Sequence, residues 1–432
     1  MKEHKTLINE EAPFDISELF FSTTDRKGII TSCNEVFLRV ASYEPRELLG
    51  QPHNTIRHPD MPKCVFNLLW EYLLAGRAIG AYVKNLSNTG KYYWVFAVAC
   101  PYEGGFISIR VKPTSSVLPA VKSLYKELKV LEDSYGKDWR AGMQASTEEL
   151  LKRLRELGFD TYDEFMNISL RQELVSSNVV QVPTAHVADD RRRREEKGVM
   201  QIFHELDRLL DLQKRLKEKE GYFLALGEHM TTIAINASIR AAKLGQEGSS
   251  LGVISEEISN VSKEIEKESS DLKSRSAQLA SALGEMSFLI AQSILQQKMI
   301  EFFQFEQKQR EMTPGEERIR YGREISEASK VLEVCARQSL KQCIACIMDL
   351  QASFRGFDAI SSSLEKVLLT IQFSYVTGKT VTARIAGAEQ FSALLSDLLT
   401  LSESGRSELG KLKSAVKEVR SNVVDWHLEA GR

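Results

Sequence analysis

Within the fourteen residues from Gly50 to Lys63 stand His53, Arg57, His58 and Asp60, spaced among Pro52, Pro59 and Pro62. Imidazole, guanidinium and carboxylate brought together can hold an anion, orient one another by hydrogen bonds, or offer a ring nitrogen to a metal. The prolines fix φ and remove backbone donors, so neither a continuous helix nor a central strand runs through them. The segment is a stiff loop, and stiffness lowers the entropy lost when its polar groups order around something. A surface connection with incidental charges has the same composition, so the neighbouring elements must decide between the two.

Those elements are legible. Phe20 to Ile30 reads as strand, turn at Asp25–Gly28, strand, after which Asn34 opens a short helix. Glu44–Gly50 is a helical turn closed by glycine. Val65 to Leu74 has helical apolar spacing and carries Trp70. Three strands follow, Ala81–Asn85, Tyr92–Val98 and Phe106–Val111, the first two joined by a turn at Ser87–Gly90.

Two strands, short helices and three strands is the order of a PAS domain. Asn34, the Gly50–Lys63 run, Trp70, Val83-Lys84-Asn85, Gly90, Tyr93-Trp94-Val95 and Ser108-Ile109-Arg110 together resemble the flavin-binding PAS domain of bacterial aerotaxis receptors, over roughly residues 15–112. The resemblance implies that Asn34, His53, Arg57, His58, Asp60, Trp70 and Asn85 line a pocket for flavin adenine dinucleotide (FAD). The side chains suit such roles. Arg57 can neutralise a phosphate, Asp60 can orient Arg57 or His58, Trp70 offers a face to a ring, and Asn85 presents both donor and acceptor. Haem ligation through His53 or His58 is the competing idea, ranked below flavin because the loop's charges suit phosphates.

The chain of 432 residues exceeds one ordinary domain. A net charge of −2 gives no global attraction to nucleic acid or anionic lipid. No run of eighteen apolar residues occurs and the start has no signal core, so a soluble, cytoplasmic protein without membrane insertion is expected. Cys343 and Cys346 form a CxxC in a helical stretch, and without a second ligand pair they read as packed thiols rather than a zinc site. No phosphate loop, nucleophile elbow or kinase signature stands out, which speaks against an enzyme.

Residues 1–14 read as a polar leader, 15–112 as the sensor and 113–190 as helical connector and linker, with a solvated charge block at Arg191–Lys197. Beyond Val199 nearly everything reads as long helix. Ile258, Ile265, Leu272, Leu279 and Met286 recur every seven residues, a coiled-coil seam that calls for a partner, here expected to be a second copy. Thr313–Glu317 marks a break, and Gly356, Gly378 and Gly387 mark further turns.

Small residues and glycines gather between Ile233 and Ile258, where two helices can fold back. That segment resembles the hairpin tip of methyl-accepting chemotaxis proteins, with Arg240 where that family usually carries glutamate. The resemblance implies a partner-contact tip near 236–252 of a 191–312 hairpin, involving Asn236, Ile239, Arg240, Lys243, Glu247, Val253 and Glu257, followed by a 313–432 bundle. It implies as partners the chemotaxis histidine kinase and its coupling protein, or another signalling protein. The expected fold is an α+β PAS domain followed by an all-α coiled-coil and helical-bundle region. The expected function is redox sensing by bound FAD, the alternative being an interaction scaffold with haem or no cofactor.

Overall fold

The computed structural model describes residues 6–177, 190–310 and 316–430. Its sheet comprises β1 (Ile8–Glu11), β2 (Phe20–Thr24), β3 (Ile30–Cys33), β4 (Ile79–Leu86), β5 (Lys91–Tyr102) and β6 (Gly105–Val111), in the order β1-β5-β6-β2-β3 with β4 also paired to β5. Strands β2 to β6 form antiparallel pairs, whereas β1 lies parallel to β5. Strand β1 falls within the expected polar leader. All four of its residues are exposed, so it has no inside–outside alternation to announce it.

Between β3 and β4 run α1 (Glu35–Ala41), α2 (Pro45–Leu48), a 3₁₀ turn at His53–Ile56, and α3 (Lys63–Leu74). Helix α1 starts at Asn34, whose oxygen takes the Phe37 N–H at 3.3 Å. Helix α3 starts at Pro62, which supplies no side-chain cap. The missing acceptor comes from α4 (Val117–Ser134), where buried Glu132 takes the N–H groups of Lys63 at 2.8 Å and Cys64 at 3.0 Å and the Ser146 hydroxyl at 2.8 Å. Ser146 lies on α5 (Trp139–Glu156), which packs on α4.

A second buried carboxyl, Glu173 of α6 (Tyr162–Ser176), is fully enclosed. It accepts from Tyr82 at 2.7 Å, the Ser115 hydroxyl and amide at 2.5 and 3.0 Å, and the Thr114 amide at 2.6 Å. Two acids thus fasten the connector helices to the sheet domain, one at the start of α3 and one at β4.

Four long helices complete the chain, α7 (Asp190–Lys243), α8 (Ser249–Arg310), α9 (Glu316–Thr382) and α10 (Glu389–Ala430). The molecule divides into two compact units, Met1–Phe203 with Gly284–Cys343, and His204–Leu283 with Ile344–Arg432, so α7, α8 and α9 each contribute to both. The second unit is an antiparallel bundle in which α7 lies beside α8 and α10, and α9 beside the same two. Ser262 of α8 donates to the Gly227 carbonyl of α7 at 2.8 Å, Tyr222 of α7 to Ser404 of α10 at 2.9 Å, and Ser363 of α9 to Glu268 of α8 at 2.8 Å. Ile258, Ile265, Leu272, Leu279 and Met286 are all buried, as the sevenfold spacing requires.

Helices α7 and α8 turn through a 3₁₀ segment at Gly245–Gly248, within the stretch where glycines gather, and α9 turns to α10 through Gly387 in the left-handed region at φ 81°. Gly356 and Gly378, expected as turns, instead lie inside α9. Both admit a neighbour's side chain: a Cβ at 356 would meet the Arg275 guanidinium and one at 378 the Leu395 methyls. The expected break at Thr313–Glu317 falls largely on residues outside the described ones, as do the linker around Pro183 and the side chains of Arg191–Arg194.

No described helix is long and apolar enough to cross a membrane.

Candidate functional site

The loop from Gly50 to Pro62 is tied to strands on both sides. Gly50 N–H donates to the Ile30 carbonyl and Ile30 N–H to the Gln51 carbonyl, each at 2.9 Å, while Arg57 bridges Asn85 and the His58 amide reaches the Lys84 carbonyl at 3.3 Å. Loop, α3 and the inner face of the sheet enclose a hollow of about 160 Å³. Period-two alternation selects its walls: Ser22 and Thr24 of β2, Val83 and Asn85 of β4, Ala97 and Ala99 of β5, and Phe106, Ser108 and Arg110 of β6. Helix α3 adds Phe66, Leu69, Trp70 and Leu73; the loop adds His53, Asn54 and Arg57. The two alanines of β5 leave space that larger residues would fill.

Trp70 stands edge-on to Phe106 with centroids 5.6 Å apart. Its six-membered ring also lies over Gly28, which has φ 80° and whose Cβ, were there one, would come within 3.1 Å of the indole. Only glycine suits both the turn and the indole at that place.

Among the described residues, none lining the hollow is acidic, yet Lys27, Arg57 and Arg110 all reach it. Arg110 is 3% exposed. One nitrogen, Nη2, serves Ser22 at 2.9 Å and His53 Nε2 at 2.5 Å, while Nη1 has no partner. Burial lowers the Arg110 pKa to about 10, which leaves it charged at neutral pH. Burial, then Arg110 and Arg57, drive the His53 pKa well below that of free imidazole, so His53 is neutral and its Nε2 accepts from Arg110. Arg57 lies with its guanidinium carbon 3.5 Å from the Phe66 ring centre, and its buried Nε is unpaired. Burial lowers the Arg57 pKa as well, against the attraction of Glu132. The amide nitrogen of buried Asn85 is the third unpaired donor in this wall.

Of the residues singled out from the sequence, His53, Arg57, Trp70 and Asn85 come together here. Asn34, His58 and Asp60 do not line the hollow. Asn34 is spent on the backbone: its oxygen takes the Phe21 amide at 2.9 Å as well as the α1 cap, and its nitrogen serves the Leu19 carbonyl at 2.8 Å. His58 is buried and turned toward Tyr92, its Nδ1 accepting the Asp60 amide at 3.2 Å. Although the Asp60 carboxylate lies 3.4 Å from that ring, burial, followed by Lys84, lowers the His58 pKa to about 4, so the ring is neutral and makes no ion pair at pH 7. Asp60 is 62% exposed in its side chain and pairs with Lys84 at 2.6 Å. Backbone pairing aims Arg57 inward, and the side chains that follow it point elsewhere.

Sequence reasoning counted Ser108 and Arg110 among the residues that carry the resemblance without placing them in the pocket, and it passed over Phe66 and Ser22. A cation at an inward position of a buried strand, alternating with Phe106 and Ser108, was the available signal.

Residues 30–109 match the profile of a protein family described as the PAS fold. This is a PAS domain. Over 133 residues the chain is 41% identical to the aerotaxis receptor of Escherichia coli (strain K12), a match that takes in 30% of this chain and 26% of that receptor. The chain therefore spans about a quarter of the length of the curated relative it matches. Solved structures of the fungal photoreceptor Vivid also align: one variant is 18% identical over 26% of this chain and 85% of its own, with TM-score 0.20, and the photo-excited form is 20% identical, with TM-score 0.19. At those values the Vivid likeness adds nothing to the argument.

At the tip of the α7–α8 hairpin, Asn236, Ile239, Lys243, Glu247 and Val253 are exposed, while Arg240 and Glu257 are half-buried. Arg240 donates to Gln390 of α10, so its charge faces the chain's other hairpin.

Proposed function

We propose that the PAS domain binds FAD and that the chain reports the redox state of that cofactor to a chemotaxis kinase complex in the cytoplasm. One observation carries the reading: the wall holds three buried donors without acceptors, Arg57 Nε, Asn85 Nδ2 and Arg110 Nη1, beside aromatic faces in a lining that contains no acid. Such donors destabilise a protein unless a ligand completes them. A planar heteroaromatic ring rich in carbonyl and nitrogen acceptors, carrying phosphates, has the chemistry they lack. In that arrangement Asn85 and Arg110 serve the ring edge, Trp70 and Phe66 its surroundings, and Arg57 with Lys27 the anionic tail. Flavin supplies reversible electron uptake, with a change of charge and hydrogen bonding at that edge. The aerotaxis receptor's 41% identity over this region supports the same cofactor.

Relay follows from strand β5, which has two faces. Ala97 and Ala99 look into the hollow, and Cys100, on the opposite face, takes the Gln296 amide of α8 at 3.7 Å. On the same side Phe21 of β2 stands edge-on to Phe303 of α8 at 5.0 Å. A shift of sheet strands on reduction thus reaches α8 through direct packing. A change of about 1.4 kcal/mol in the balance of two helix packings alters their populations tenfold.

The test is an absorption spectrum of the purified chain, before and after incubation with FAD and after reduction. Flavin bands that bleach on reduction are expected, and Asn85→Ala weakens binding at least about tenfold through loss of a buried hydrogen bond. A colourless protein that takes up no flavin overturns the reading and leaves the scaffold; a Soret band points to haem.

A further inference from the structure

The two hairpins of the second unit share one pattern of burial. A shift of 141 residues carries the buried positions of α7 onto those of α9: Phe223 onto Leu364, Met230 onto Ile371, Ala237 onto Gly378. A shift of 140 carries α8 onto α10: Ile258 onto Leu398, Ser262 onto Ser402, Leu272 onto Leu412, each buried. The one-residue difference lies in the tips, each of which holds a left-handed glycine, Gly245 and Gly387.

Hydrogen bonding repeats as well. Ser262 donates to the Gly227 carbonyl at 2.8 Å and Ser402 to the Leu368 carbonyl at 3.0 Å, so donors and acceptors both obey the two shifts. Sizes trade places beside those bonds. In the first hairpin Ile265 faces Gly227, where a Cβ would sit 3.5 Å from its methyl; in the second Gly405 faces Leu368, where a Cβ would sit 2.9 Å away. Glu268 and Glu408, again 140 apart, each reach across to the other hairpin, to Ser363 and Lys219.

A hairpin with a sevenfold apolar seam cannot bury that seam alone, and an identical second copy meets it about a two-fold axis. We infer that α9–α10 is the in-chain counterpart of α7–α8, a duplicated hairpin that fills the place of a second molecule. The bundle is then completed by one chain, and one PAS domain reports to one bundle. The seam that implied a second copy from sequence finds its partner in the same polypeptide. The halves have diverged at the tip, where exposed Ile239 and Val253 are answered by Thr380 and Ala393.

Tyr222 and Ser404 lie on different hairpins in contact at 2.9 Å. With p-benzoylphenylalanine at position 222 of the full-length protein, irradiation should link it to the segment around Ser404 in a product that keeps the 48.8 kDa mass of one chain on a denaturing gel. The same linkage at twice that mass, or no linkage to that segment, overturns the inference. A charge exchange gives an independent reading should that variant not fold. Lys219→Glu and Glu408→Lys should each lower the melting midpoint by a few °C, and combining them in one chain should restore it. Restoration by refolding the two single variants together would show the contact is made between chains and overturn the inference.

Discussion

Buried acids and buried bases are treated in opposite ways on the two sides of this PAS domain. Glu173 and Glu132, where the connector helices meet the domain, are surrounded by donors: four for the first and three for the second. Arg57 and Arg110, at the hollow, retain unpaired nitrogens, and no acid lines the hollow beside them. A saturated group holds structure together, whereas a buried group left short awaits something. Under the proposed function, the difference separates the groups that build the domain from those that a bound molecule completes.

The largest expected effect comes from breaking the saturated side. Glu173→Ala strands two hydroxyls and two amides, a loss of about 3–5 kcal/mol, which lowers the melting midpoint by roughly 10 °C, measured by calorimetry. Glu132→Ala, with one hydroxyl and two amides at stake, falls less far. Little change in either would erase the contrast.

On the short side stability should hardly move. Arg110→Met removes a buried charge without a counter-charge, so the apoprotein changes by less than about 1 kcal/mol, while the FAD dissociation constant rises at least about tenfold. Titration of flavin fluorescence, beside the melting curve of the same variant, checks both halves. Strong destabilisation with binding intact would place Arg110 among the building groups.

The smallest effect concerns His58, neutral and buried outside the hollow. Its folded pKa of about 4 lies below the usual 6.5, so the unfolded chain binds a proton the folded one refuses. Its contribution is fully present above pH 6.5 and is lost as pH falls toward 4. His58→Asn should flatten the slope of unfolding free energy in that window by up to about 1.4 kcal/mol per pH unit, with FAD affinity at pH 7 unchanged. His53, also held low by burial, acts in the same direction.

Strands that alternate and a helix with apolar spacing were plain in the sequence, as was the loop, because prolines exclude other structures. What a list of residues could not tell was direction. Arg57, His58 and Asp60 are near neighbours, yet backbone pairing to β4 turns the first inward and leaves the others outside the hollow. Asn34 satisfies three backbone groups, which its type permits and its position alone does not reveal. Arg110 was hidden by belonging to a strand, where a cation suggests a rim rather than a floor. In the helical half the sevenfold seam was legible, but not that its complement lay about 140 residues further along the same chain. Leucine, serine and glycine trade places between the two hairpins, so burial repeats where letters do not.

The loop that joins the outermost strands, fastened to β3 at one end and β4 at the other, has a bearing on solubility. Exposed margins of a sheet invite foreign strands to add on. Here the backbone of residues 50–58 occupies bonding positions along both margins. The same fourteen-residue segment that borders the hollow therefore also shields the domain from polymerising edge to edge, and substitutions there are subject to a second selection, against aggregation, that no binding assay would register.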